Sequence, residues 1–252
     1  MKKKLLTLFM SICMMFGVCG SMTACDLGIL DGAIELEDLR DEVDSLKEEN
    51  QLLKEEIATL KFEAEFPNGL VTESCILNKV SIIRDVANPE GSTYAVRADG
   101  SDVEVTINGG TYDAGSGSLY NIAIWAHNGS HIIINDGTFK TGADVNGEAN
   151  HVIYAAGDSI IEINGGWFES VGVEAPMMIN CQDNHGTIII KGGTFVNFDP
   201  SNCISEGEGT SFVAEGYSVI MTEIEGIKYY KVVESSTIQE ESSEVEEGPK
   251  DF

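Results

Sequence analysis

The residues whose types could do chemistry are few and scattered. Four histidines stand at His127, His131, His151 and His185, and there are three arginines, Arg40, Arg84 and Arg97. His127 and His131 flank an Asn-Gly turn and could converge on a metal, yet no cysteine or carboxylate completes a ligand spacing. Turn and surface histidines are the plainer reading. Acids such as Asp113, Asp136, Asp158, Glu162 and Asp183 fall singly, and Asp99 and Asp102 sit where aspartate is favoured for local hydrogen bonds in a turn. Cleaving a glycosidic bond needs two carboxyl groups at a fixed separation, and these acids form no obvious pair. The more suggestive set is Arg97, Trp125, Tyr154 and Asn180, spaced 26 to 29 residues apart. If Ile124 and Ala126 point inward, Trp125 points outward, because strand faces alternate. Aromatic faces stack on pyranose rings while amide and guanidinium groups bind hydroxyls, so this file is a candidate sugar platform. The competing reading packs the aromatics under the loops at residues 113–121 and 141–150, or at a seam between two copies.

Positioning such a file requires strands at a regular interval, and the chain supplies them. One six-residue phrase occurs four times: Ile107-Asn-Gly-Gly-Thr-Tyr112, Ile134-Asn-Asp-Gly-Thr-Phe139, Ile163-Asn-Gly-Gly-Trp-Phe168 and Ile190-Lys-Gly-Gly-Thr-Phe195. The starts lie 27 to 29 residues apart, the period of a solenoid whose units bury their apolar side by stacking. The second glycine is present in every unit, as a corner with positive φ or close backbone approach demands. First-position isoleucines and sixth-position aromatics stacked ~4.8 Å apart predict two internal ladders. Asn108, Asn135 and Asn164 predict an amide ladder at the bend. Between the phrases lie strand-turn pieces at Ala95–Gly100, Ala123–Gly129, Ile153–Asp158 and Ile179–Asp183.

These phrases resemble the right-handed parallel β-helix modules, of the pectate-lyase-like class, of bacterial and phage surface proteins. The stretch Phe212-Val-Ala-Glu-Gly-Tyr-Ser-Val-Ile220, followed by Lys228-Tyr-Tyr-Lys-Val-Val233, is similar to the strand pair that closes many of them. The resemblance covers residues 76–233 and implies an all-β solenoid of about five short coils. It is nearly silent on activity, because one architecture hosts many functions. Polysaccharide lyases of the class use acidic calcium ligands with an arginine or lysine base. Arg84 and Arg97 are the arginines of the body, and no carboxylate cluster surrounds either.

The first 24 residues read as a targeting segment: Lys2-Lys3-Lys4, then an apolar run from Leu5 to Val18 too short for a comfortable membrane span. Ser21-Met-Thr-Ala-Cys25 resembles a bacterial lipobox, which makes Cys25 the acylated N-terminus, with Cys19 a poorer candidate. The alternative is cleavage at Ala24 and a free secreted protein. After a tether at 25–33, residues 34–63 read as an α-helical coiled-coil stalk, with Leu39, Leu46, Leu53 and Leu60 at d and Leu36, Val43, Asn50 and Ile57 at a. β-branched a residues over leucine d residues favour two parallel strands, and one a-position asparagine fixes register. Glutamates at g (35, 42, 49, 56) face Arg40, Lys47, Lys54 and Lys61 at e of a partner, so a parallel homodimer is expected, with a trimer as the minority alternative. At ~1.5 Å per residue the stalk is roughly 37 Å long. Residues 64–93 should cap the solenoid and start its first coil, either as a helix bearing Val71, Cys75, Val80 and Ile83 or as a strand from Ile76 to Ile83. The β-helix with its closing strands then occupies 94–234. Residues 235–252, rich in Ser and Glu, read as a disordered acidic tail.

Forty-two acidic residues against 15 basic give a formal charge of −27, which repels nucleic acid and anionic lipid and tolerates cations, calcium included. Cys181 and Cys203 fall on neighbouring coils, as a disulfide or as two buried thiols. The expectation is an extracytoplasmic protein held to its membrane by the acyl anchor. It would display a non-enzymatic adhesin or glycan-binding β-helix and need no cofactor. A polysaccharide lyase or glycoside hydrolase is the second class, marked by carboxylates clustering on one outer face. A purely structural spacer is the third, favoured if the aromatic file is buried.

Overall fold

The structure is a computed structural model that describes residues 24–148, 150–171, 178–181 and 185–236, with side chains from Glu37 onward. The targeting segment, the side chains of Cys25 and Leu36, and nearly all of the acidic tail lie outside the described residues. The chain falls into two compact units, Met1–Lys54 and Glu55–Phe252.

Helix α1 runs Ala24–Glu65 and takes in residues 25–33, expected as a tether. No helix among the described residues is long and apolar enough to cross a membrane. Along α1 the apolar seam is uncovered: Leu39, Val43, Leu46, Leu53, Ile57 and Leu60 are all exposed. Asn50 turns its amide back to the Leu46 carbonyl at 3.0 Å, and Lys47 pairs with Asp44 within the helix at 2.9 Å.

The second unit is a parallel β-solenoid of about four turns, fewer than the five coils expected. A 3₁₀ turn at Pro67–Gly69 leads into β1 (Leu70–Val71), β2 (Cys75–Leu77) and β3 (Ile82–Ile83). These are strands, so the helical alternative for this segment is set aside, and the single strand expected from Ile76 to Ile83 is two short ones. The body follows with β4 (Ser92–Asp99), β5 (Glu104–Asp113), β6 (Tyr120–His127), β7 (His131–Thr141), β8 (Ile153–Ala155), β9 (Ser159–Ile163), β10 (Trp167–Ser170), β11 (Ile179–Asn180), β12 (Gly186–Ile190) and β13 (Thr194–Val196). One sheet is ordered β1-β4-β6-β8-β11. The other carries the signature phrases and ends in the antiparallel hairpin β14 (Tyr217–Ile224) and β15 (Ile227–Glu234), which covers the edge of β13.

The phrase turns out to be a corner rather than a strand end. In β5 its isoleucine pairs with Ile134 and its tyrosine with Phe139, with register shifts around Asn108 between them. The chain bends there and continues as a third strand segment in each coil. All four isoleucines and all four aromatics are fully buried. The rings of Tyr112, Phe139, Phe168 and Phe195 stack at 5.3, 4.9 and 4.6 Å with interplanar angles of 9 to 10°. The amide ladder gains a rung at its start: Asn108, Asn135 and Asn164 each donate to the preceding asparagine, beginning with Asn78, at 2.7 to 3.0 Å. The repeated glycine holds φ of +100 to +138°, and at Gly110 an added Cβ would run into the Val80 backbone.

The last turns of α1 close the N-terminal end of the solenoid. Ala58, Phe62 and Phe66 pack into its core, and the Thr59 hydroxyl accepts the Ser81 N–H at 3.0 Å. In the heptad frame these are b, c and f positions, opposite the a/d seam. Ile57 and Leu60 on that seam stay 49% and 58% exposed, so capping leaves the a/d face uncovered.

An aromatic groove as the candidate functional site

Strands β4, β6, β8 and β11 bring the four file residues side by side. Arg97 pairs in register with Trp125, Trp125 with Tyr154, and Tyr154 with Asn180. Ile124 and Ala126 are fully buried while Trp125 and Tyr154 are half-buried, so the alternation places the file on the outer face. The turn after β6 is pinned by Ser130, whose hydroxyl donates to the Ala98 carbonyl and accepts the His127 N–H, both at 3.0 Å. Ser159 repeats this one coil on, accepting from Ala156 at 3.0 Å and donating to Ala126 at 2.9 Å. The C-terminal ends of the strands that carry Trp125 and Tyr154 are thereby fixed.

Three of the four file residues line a groove of about 400 Å³, with Ser92, Tyr120, Ile122 and His151 completing its walls. One wall is a stack of rings: Tyr120 on His151 at 6.3 Å and 11°, then His151 on Tyr154 at 5.4 Å and 14°. Trp125 stands at 50° to Tyr154 with ring centroids 5.5 Å apart, and it meets Tyr94 edge-on at 5.8 Å. The Trp125 indole N–H is buried and has no hydrogen-bond partner among the described residues. Such a donor costs on the order of 1–3 kcal/mol until it is satisfied. A concave site of this size, mostly aromatic with a few polar tips, has the anatomy of a small-ligand pocket.

Arg97 belongs to the file but not to the groove lining. Its guanidinium carbon lies 4.1 Å over the Trp125 ring, a cation–π contact, and its Nη2 donates to Asp99 at 2.6 Å with His127 Nδ1 at 3.3 Å. Burial would raise the Asp99 carboxyl, but the Asn128 amide, donating at 2.6 Å, and the Arg97 charge outweigh it and hold it below the ordinary aspartate value. Arg97 is therefore a strut beneath Trp125. Tyr120 and His151 were missed from sequence because neither lies on the aligned strand pieces: Tyr120 opens β6, and His151 precedes β8.

A second constellation sits on the other sheet. His131 lies between two carboxylates, Nδ1 at 3.6 Å from Glu104 and Nε2 at 3.3 Å from Glu162, and Lys191 pairs with Glu162 at 2.9 Å. Glu104 is in register with His131, as their equal distance ahead of Ile107 and Ile134 would have indicated. The expectation that these acids stand alone is thus corrected for Glu162. The Lys191 hydrogen bond leads the influences on Glu162 and, with the Lys191 and His131 charges, lowers its carboxyl despite burial. That suits an anchored carboxylate and not a general acid, which needs a raised value. His127, by contrast, faces Asp99 at 3.6 Å and joins no metal cluster with His131. No group of three or more His, Cys, Asp or Glu side chains is arranged to hold a metal among the described residues.

Cys181 and Cys203 are thiols, not a disulfide. Cys181 Sγ approaches Glu206 at 3.2 Å, and Cys203 Sγ approaches the Ile179 carbonyl at 3.7 Å, behind the last strand of the file. Burial raises the Cys203 thiol above its ordinary value. Comparison with protein-family models, curated proteins and solved structures finds no match.

Proposed function

We propose that this chain is an exported, lipid-anchored protein whose β-helix binds glycan in the Trp125–Tyr154 groove without transforming it. The observation that carries the reading is the groove itself: Trp125, Tyr154 and Asn180 in register on one outer face, walled by Tyr120 and His151. Aromatic faces there match the apolar faces of sugar rings, and the Asn180 amide, the Ser92 hydroxyl and the tyrosine hydroxyls match ring substituents. Cys25 carries the acyl anchor in this reading. The uncovered Leu/Val/Ile seam of α1 pairs with a second copy as a parallel coiled coil, with Glu and Lys/Arg meeting across its flanks. The solenoid is of the right-handed, pectate-lyase-like kind.

The test is a glycan array of the full chain in detergent beside the Trp125→Ala/Tyr154→Ala double variant. Retained oligosaccharide with the parent and none with the variant is the expected result. Binding by neither protein, with and without calcium, contradicts the proposal and favours a structural spacer. An enzymatic second reading is favoured by the Glu104–His131–Glu162 file, which brings two carboxylates to one outer face. It requires new reducing ends in the same incubations.

A further inference from the structure

We infer that the groove selects neutral oligosaccharides and rejects uronate-bearing ones, a specificity that rests on the glycan-binding reading above. Recognising a sugar carboxylate takes a fixed cation free to form a charge-assisted, preferably bidentate, hydrogen bond. Among the described residues the groove lining holds no lysine or arginine. The nearest guanidinium on the file, Arg97, is already committed. Its Nη2 is 2.6 Å from Asp99 and its carbon is seated on Trp125 at 4.1 Å, while its Nε is buried without a hydrogen-bond partner among the described residues. Asp99 also accepts from the Asn128 amide at 2.6 Å, which holds its carboxylate beside Arg97. His127 completes that knot from the next coil.

The rest of the surface adds to the discrimination. At a formal −27 the chain repels a polyanion before contact. A neutral hexose chain meets no such barrier. The ring stack, the Trp125 indole and the Asn180 amide offer it apolar faces and hydrogen-bonding tips, with no lysine, arginine, aspartate or glutamate among the described residues of the lining. Asp99 is thus the specificity-determining residue: it pairs with the one cation that, among the described residues of the file, could otherwise read a carboxylate.

The experiment is calorimetric titration of the full chain in detergent with cellohexaose, mannohexaose and hexagalacturonate, at low and high salt. The parent should bind a neutral hexaose at least about tenfold more tightly than hexagalacturonate, with little salt dependence. Asp99→Asn, which releases Arg97, should raise hexagalacturonate affinity about tenfold relative to the variant's own affinity for the neutral hexaoses, a parent-like circular dichroism melt certifying the fold. Hexagalacturonate bound as tightly as the neutral sugars by the parent overturns the inference while leaving glycan binding in place. An Asp99→Asn chain that keeps neutral binding but gains nothing for hexagalacturonate overturns the role of Asp99. No binding of any of the three, together with an empty array, removes the underlying reading instead.

Discussion

At the scale of single residues, neighbouring coils turn small sequence choices into fixed geometry. Gly110 shows how little freedom remains. Its φ is +105°, and a methyl group there meets the backbone of Val80 in the preceding coil, which cannot yield as a side chain would. Gly110→Ala should cost about 2–3 kcal/mol, read as a lower melting temperature with glycan specificity unchanged. A melt indistinguishable from the parent would show that the corner can adjust. The same rigidity made the Arg97–Trp125–Tyr154–Asn180 file legible from sequence, because strand alternation sends equivalent positions of successive coils to one face once the period is known. The role of Arg97 was not legible, since an arginine in a file looks the same whether its charge is free or tied to Asp99 two residues on. Nor were Tyr120 and His151 legible as a wall, because ring stacking across loops carries no periodic trace.

Among the elements, α1 is the most informative, since one of its faces closes the solenoid and the opposite one is proposed to pair with a second copy. Its a/d residues gave the heptad pattern and with it the expected zipper. Phe62 and Phe66, four residues apart on the opposite side, break the pattern of a solvated outer face, yet two aromatics near a helix end are a weak signal alone. Their meaning came from the solenoid end they cover, where an uncapped coil would expose its ladder. Phe62→Ala should destabilise the solenoid by about 3–5 kcal/mol through the cavity it leaves. Leu60→Ala, two residues away on the exposed seam, should leave solenoid melting unchanged and weaken self-association. Circular dichroism melts paired with sedimentation separate the two, and equal effects of both variants on melting would refute the two-faced helix. The ends of the solenoid were likewise the part that sequence judged least well. Strands such as β1, β2 and β11 are two or three residues long, too short for alternation to be read from sequence, and about four turns stand where about five coils were expected.

The whole molecule, in the proposed reading, joins an anchor, a pairing stalk and a binding solenoid. A dimeric stalk presents two grooves to one polymer, and linked sites bind far more tightly than either alone. Asn50 is the control point for that state. Asn50→Ile should raise stalk stability and broaden its oligomer distribution, because the amide proposed to fix two-stranded register is gone. A sedimentation profile with one unchanged dimer would count against the zipper. The central claim, however, is the groove, and Trp125 reports on it directly. With Trp167, the second of the two tryptophans, replaced by Phe, Trp125 is the sole indole, and its emission can be followed as the strongest array ligand is added. The account predicts a saturable change whose midpoint matches the calorimetric affinity and which Tyr154→Ala abolishes. Sugar binding with no change in Trp125 emission would contradict it, placing the site elsewhere on the solenoid.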